Sequence, residues 1–126
     1  MSEEPAIDRA LAEARAKIAP RVQPAALATA IAAGALVVDI RPVEQRARDG
    51  ALPGALVIDR NVLEWRLDPT SPYHLPVMDD AARPVIIVCN EGYASSLAAA
   101  TLTELGLRKA TDLDGGYQAW KDQAAG

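Results

Sequence analysis

Cys89 is the only cysteine in the 126-residue chain, and its neighbours make it a candidate nucleophile. It closes the apolar run Pro84-Val85-Ile86-Ile87-Val88. It also opens a loop, Asn90-Glu91-Gly92-Tyr93-Ala94, that leads into Ser95-Ser96-Leu97-Ala98. A thiol between the end of a strand and the start of a helix meets backbone N–H groups and the positive end of a helix dipole. Both stabilise the thiolate, which is the nucleophilic form. Gly92 permits a tight curl in mid-loop. Ser95 and Ser96 can cap the helix, and their hydroxyls are candidates to meet a bound anion or a sulfur atom. Cysteine is among the most buried residue types, so an inert structural thiol is the competing reading. The order strand, cysteine, glycine loop, serines, helix favours the reactive one.

The elements needed to position that loop are legible along the chain. Residues 3–18 read as an amphipathic helix, with Ile7, Leu11, Ala14 and Ile18 at helical spacing and Glu13 with Lys17 as an i,i+4 pair. A second helix is expected over 24–33, stopped by Gly34. Strands are expected at 36–40, 55–58, 85–88 and 110–113. Helices are expected at 42–49, at 61–67 with Asn61 as a cap, at 95–105 with a stripe of Leu97, Thr101, Leu102 and Leu105, and around 117–122. Residues 68–83 carry Pro69, Pro72 and Pro76 and read as a loop. Strands that alternate with helices, and are apolar on both faces, indicate an α/β fold built on a parallel sheet. In such a sheet, function collects at the carboxyl ends of the strands, where Cys89 lies.

Composition narrows the chemistry. Half of the chain is apolar and 24% is charged, with a net charge of −4. There is no basic block to bind nucleic acid, and aromatic residues are too few to form stacking platforms. One cysteine permits no internal disulfide or cysteine metal cluster, and His74 is the only histidine, so no metal site is expected. No apolar run reaches the roughly 20 residues of a membrane span. The acidic start Met1-Ser2-Glu3-Glu4-Pro5 lacks the basic and apolar regions of a secretory signal, and a cytoplasmic protein is expected.

Four segments, in order, resemble the rhodanese-homology family of single-domain sulfurtransferases. They are Asp39-Ile40-Arg41 with Glu44, Gly50-Ala51-Leu52-Pro53-Gly54-Ala55, the loop from Cys89 to Ser95, and Leu113-Asp114-Gly115-Gly116-Tyr117-Gln118-Ala119-Trp120. The resemblance runs from about Pro24 to Lys121. It implies a three-layer α/β/α domain over 21–126, with residues 1–20 as an added N-terminal helical extension. It also implies that Cys89 takes a sulfane sulfur from a donor, becomes a persulfide, and passes the sulfur to cyanide, a small thiol or a protein thiol. The loop residues Asn90, Glu91, Gly92, Tyr93, Ala94 and Ser95 would hold the persulfide through their amides. No cofactor is implied. With no second cysteine, the sulfur acceptor must be external. The alternative within the same family is an interaction or regulatory module; such modules usually lose the cysteine that this chain keeps.

The chain departs from the family pattern at two places. Ala51 stands where the family has histidine, at a position expected to be structural. The loop carries Glu91 and neither lysine nor arginine, so a dianion such as thiosulfate should be repelled unless an arginine compensates. Arg46, Arg60 and Arg66 are the nearest candidates. Cysteine phosphatases on related folds use a longer loop ending in arginine to clamp an oxyanion, whereas Ala94 and Ser95 end this one. Asp39, Arg41 and Glu44 are expected to form an ion-pair support beside the loop, with the arginine between two carboxylates. His74 is expected on a surface loop, Trp120 in the core, Trp65 either at the site wall or as a loop anchor, and Tyr93 at the entrance. The N-terminal helix is expected to pack as an extra cover over the sheet.

Overall fold

The structure, a computed structural model, describes residues 3–125. Four short strands, β1 (Leu36–Asp39), β2 (Leu56–Val57), β3 (Val85–Val88) and β4 (Ala110–Asp112), form one parallel sheet in the order β2-β1-β3-β4. β3 lies inside the sheet, paired with β1 and β4, so its residues face helices on both sides. Val85, Ile87 and Val88 are fully buried. Side chains of this size contribute about 1.5–3 kcal/mol each when removed from water.

Alternation along the strands sorts the core into two layers. Val38, Val85, Ile87 and Cys89 face one side, with α1 (Ala6–Ile18), α4 (Leu63–Leu67) and α5 (Ala94–Glu104). Val37, Ile86 and Val88 face the other, with α2 (Leu27–Ala32) and α6 (Gly116–Ala125). This is the expected three-layer arrangement. The remaining helix, α3 (Val43–Asp49), buries none of its residues and lies at the rim. Trp120 packs as expected with the second layer, its ring 5.6 Å from that of Tyr117. No helix among the described residues is long and apolar enough to cross a membrane.

The N-terminal helix differs from expectation in an instructive way. It packs against α5 rather than lying directly over the sheet, burying Ala14 and Ile18 while Ile7 stays 59% exposed. Lys17 pairs with Glu104 of α5 instead of Glu13. α5 is therefore enclosed on two sides, by the sheet and by α1. Its buried face is Ser95, Ser96, Ala98, Ala99, Ala100 and Leu102, and Leu105 of the expected stripe is 48% exposed. Small side chains win here because they let two layers approach one helix backbone. After α1 the chain runs beside β4, where Val22 bridges Leu113 in parallel and its N–H donates to the Asp112 carbonyl at 3.0 Å. That places Arg21 at the carboxyl end of the sheet.

Two local readings are also corrected. Residues 24–33 split into a 3-10 turn, Pro24–Ala26, and α2. The turn at Arg60–Val62 ahead of α4 is capped by Asp59, whose carboxylate accepts from the Asn61 N–H at 2.8 Å; Asn61 is not the cap.

Candidate active site

Cys89 follows β3 directly and its Sγ faces the start of α5. The Gly92 N–H donates to it at 3.2 Å and the Ser95 N–H at 3.3 Å. The residue is 8% exposed and forms part of the wall of an open cavity of about 420 Å3. Ile40, Pro42, Gln45, Arg60, Glu91 and Tyr93 also line it.

The loop holds this shape because its carbonyls are bonded on the far side. Tyr117 N–H donates to the Cys89 carbonyl at 2.9 Å, and Gln118 N–H to the Asn90 carbonyl at 3.0 Å, both from the first turn of α6. In a planar trans peptide the N–H points opposite to its C=O. Fixing those two carbonyls toward α6 therefore turns the N–H groups of Asn90 and Glu91 away from α6. None of the N–H groups of Asn90, Glu91 and Tyr93 has a hydrogen-bond partner among the described residues. Glycine is required where the two backbones meet. Gly92 has φ +87°, and a Cβ there would lie 2.8 Å from the Gly115 nitrogen. A Cβ at Gly116 would lie 2.6 Å from the Cys89 carbonyl oxygen. The Gly115-Gly116 pair thus exists to let α6 begin against the cysteine loop.

The expected loop residues take different places. The Asn90 side chain bonds Gln118, its Oδ1 accepting at 3.0 Å. Glu91 and Tyr93 are exposed, and Glu91 makes no ion pair among the described residues. Ala94 begins α5. The hydroxyls of Ser95 and Ser96 do not face the sulfur: both donate to Asp112 Oδ2 at 2.7 Å. A buried carboxylate draws these hydroxyls inward because leaving it short of donors costs more than any bond at the site would return. Of the two serines, only Ser95 meets the sulfur, and through its backbone N–H.

Asp39 and Arg41 do form the expected support, buried to 1% and 3% exposure. Arg41 Nη2 reaches Asp39 Oδ2 at 2.8 Å and the Gly50 carbonyl at 2.9 Å. Glu44 is not the second carboxylate. It points outward in the first turn of α3, exposed and outside every ion pair among the described residues. Helix geometry carries its side chain off the Arg41 side, and Tyr117 takes the free face of the guanidinium at 3.8 Å.

Of the candidate cations, Arg60 lines the cavity but pairs with Glu64 at 2.9 Å. Arg46 lies in the adjoining groove with Val43, Val57 and Asn61. Arg66 donates to the Tyr73 carbonyl and lines neither. His74 bonds the Ser71 carbonyl at 2.7 Å, in its own loop. Trp65 is 56% exposed beside Asp68 and Leu105, and is not among the residues of the cysteine cavity.

The sequence alone did not point to the arginines that do reach the loop. Arg15 of α1 donates to the Gly92 carbonyl at 2.8 Å and to Ser96 Oγ at 3.1 Å. Arg21 donates to the same carbonyl at 3.0 Å and holds Asp112 through Nε at 2.7 Å. Burial opposes the charge on Arg21, but its bond to Asp112 and the nearby Asp112, Asp114 and Cys89 charges hold its pKa above the ordinary arginine value. Asp112, an acid inside a segment that reads as a strand of the buried sheet, was the signal that could have led to them.

A rhodanese-like domain family model matches residues 23–123. A thiosulfate sulfurtransferase, GlpE of Stutzerimonas stutzeri, is 33% identical over 89 residues, which is 71% of this chain and 72% of the relative. A solved structure from Rhodopseudomonas palustris, described as a protein of unknown function and possible tyrosine phosphatase, is similar with a TM-score of 0.84. It is 32% identical, with 98% of this chain and 95% of that one covered. The human single-domain sulfurtransferase TSTD1 is similar in fold, with a TM-score of 0.68 at 24% identity, covering 83% of this chain and 97% of that one.

Proposed function

This chain belongs to the rhodanese-like domain family, and on that premise we propose that it is a sulfurtransferase working through a persulfide on Cys89. The observation that carries the reading is the pair of amide donors, Gly92 and Ser95, within 3.3 Å of a sulfur that opens on a cavity. The Cys89 thiolate attacks the outer, sulfane sulfur of a donor. A new S–S bond forms, the donor's own bond to that sulfur breaks, and its electron pair leaves with the remainder; with thiosulfate that remainder is sulfite. The product, Cys89–S–S⁻, keeps its charge on the outer sulfur, where loop amides can hold it without supplying a proton. An acceptor nucleophile then attacks the outer sulfur and releases the thiolate. Cyanide would leave as thiocyanate and a thiol as its persulfide. The cysteine is alone in the chain, so the acceptor comes from outside.

Glu91 shapes the choice of donor. It stands on the cavity wall outside every ion pair among the described residues, and the two arginines that line that cavity are already engaged, Arg41 by Asp39 and Arg60 by Glu64. A dianion entering there meets like charge. We therefore assign thiosulfate as a poor donor, and a less highly charged sulfane donor or a persulfidated protein thiol as a better one. A phosphatase reading is not favoured. The loop contains no arginine to clamp an oxyanion, and both arginines that touch it are spent on the carbonyl of Gly92.

The test is intact-protein mass after incubation with thiosulfate, mercaptopyruvate or glutathione persulfide. The expected result is a gain of one sulfur atom that cyanide or excess thiol removes, and no gain in the Cys89→Ser variant. No gain with any of the three donors overturns the reading.

A further inference from the structure

The two arginines behind the loop lie ahead of residue 23, outside the segment that the family model matches. They nevertheless converge on one atom of the site. Gly92 O accepts from Arg15 Nη2 at 2.8 Å and from Arg21 Nη2 at 3.0 Å. A carbonyl that receives two guanidinium donors is fixed in direction and strongly polarised. Its peptide partner is the Tyr93 N–H, which planarity points the opposite way. Electron withdrawal through the shared amide makes that N–H a stronger donor. On the first half of the loop, neutral amides of α6 fix the carbonyls of Cys89 and Asn90. On the second half, two full positive charges do the equivalent work.

We infer that Arg15 and Arg21 are positioning residues for the sulfur site: by gripping the Gly92 carbonyl they aim and strengthen the Tyr93 N–H toward the anionic sulfur. The N-terminal segment is then a working part of the site rather than an appendage. Arg15 is set for this by two further contacts: Ser96 Oγ accepts from its Nε at 3.1 Å, and the Tyr93 ring lies 5.5 Å from its guanidinium carbon. Arg21 is set by Asp112, which accepts from Nε at 2.7 Å and from Nη2 at 3.1 Å. The other charged groups around Cys89 are Glu91 on the cavity wall, Asp39 with Arg41, Arg60 with Glu64, and Asp114 beside Arg21.

This inference deepens the persulfide reading and rests on it for turnover, but it can be tested on the bare thiol. Arg15 is the residue to change, because removing Arg21 would strand the buried Asp112. In Arg15→Ala, the pH profile of Cys89 alkylation by iodoacetamide should move up by roughly half a unit or more. Single-turnover uptake of sulfur from glutathione persulfide should slow by about tenfold. Arg15→Lys keeps the charge but not the forked geometry, and should recover part of both effects. Melting curves identify any loss that comes from the fold. An Arg15→Ala protein that melts like wild type and keeps the wild-type alkylation profile overturns the inference. So does an Arg15→Lys variant as impaired as Arg15→Ala with both melting far lower, since the loss would then be one of packing. If the wild type takes up no sulfur but the alkylation profile still moves, the persulfide reading fails and the positioning role stands.

Discussion

Two arginine–aspartate pairs stand at the carboxyl end of the sheet, one fully buried at the end of β1 and one partly buried at the end of β4, and they serve different ends. Asp39 and Arg41 are two residues apart; Arg41 lines the cysteine cavity, but beyond Asp39 its guanidinium meets only framework groups, the Gly50 carbonyl and the face of Tyr117. Arg41 Nη1 has no hydrogen-bond partner among the described residues, and the ring face compensates its charge. Arg21 and Asp112 are 91 positions apart, and apart from a bond from Arg21 to Asp114 their other side-chain bonds lead to the cysteine loop or to α5 behind it. Asp112 collects the hydroxyls of Ser95 and Ser96, and Arg21 reaches the Gly92 carbonyl. A local pair stiffens one strand end. A long-range pair ties residue 21 to the last strand and to the loop that holds Cys89.

The largest effects should come from breaking these pairs. Arg21→Ala and Arg41→Ala each leave a buried carboxylate without its cation, at a cost of about 3–5 kcal/mol in urea unfolding. Function should separate the two. In the folded protein, Arg21→Ala should lose a larger factor in the rate of sulfur uptake than Arg41→Ala, because only Arg21 touches the loop. Equal losses would erase the distinction between framework and site. A much smaller change sharpens it. Glu91→Gln should leave stability within about 0.5 kcal/mol of wild type, as for an exposed side chain without partners. It should also raise the rate of persulfide formation from thiosulfate several-fold relative to glutathione persulfide. An unchanged ratio would mean that Glu91 does not face the donor.

How much of this was legible in the sequence follows the same division between local and distant contacts. The alternation of apolar strands and helices, the Asp39–Arg41 pairing two residues apart, and the glycines around the cysteine loop are short-range patterns, and they read correctly. The helix stripe of α5 read correctly only in part. Leu102 is buried and Leu97 packs against the core, but Leu105 is exposed, because α1 covers one side of that helix and so buries the alanines as well. Ser95 and Ser96 looked like ligands for an anion because their true partner, Asp112, is 16 or 17 residues further along the chain. Arg15 and Arg21 were invisible as site residues for the same reason, since each reaches the loop across more than 70 positions. Glu44 was misplaced by proximity in sequence: it is near Arg41 in number, but α3 turns it to solvent.

The central claim is that the loop amides solvate an anionic sulfur on residue 89. The most direct measurement is the set of backbone amide resonances of the 15N-labelled protein before and after reaction with glutathione persulfide, with Cys89→Ser as control. The account predicts that the N–H signals of Gly92 and Ser95 shift most, together with those of Asn90, Glu91 and Tyr93, and that nothing moves in the control. A persulfidated protein whose loop amide signals stay in place would contradict it.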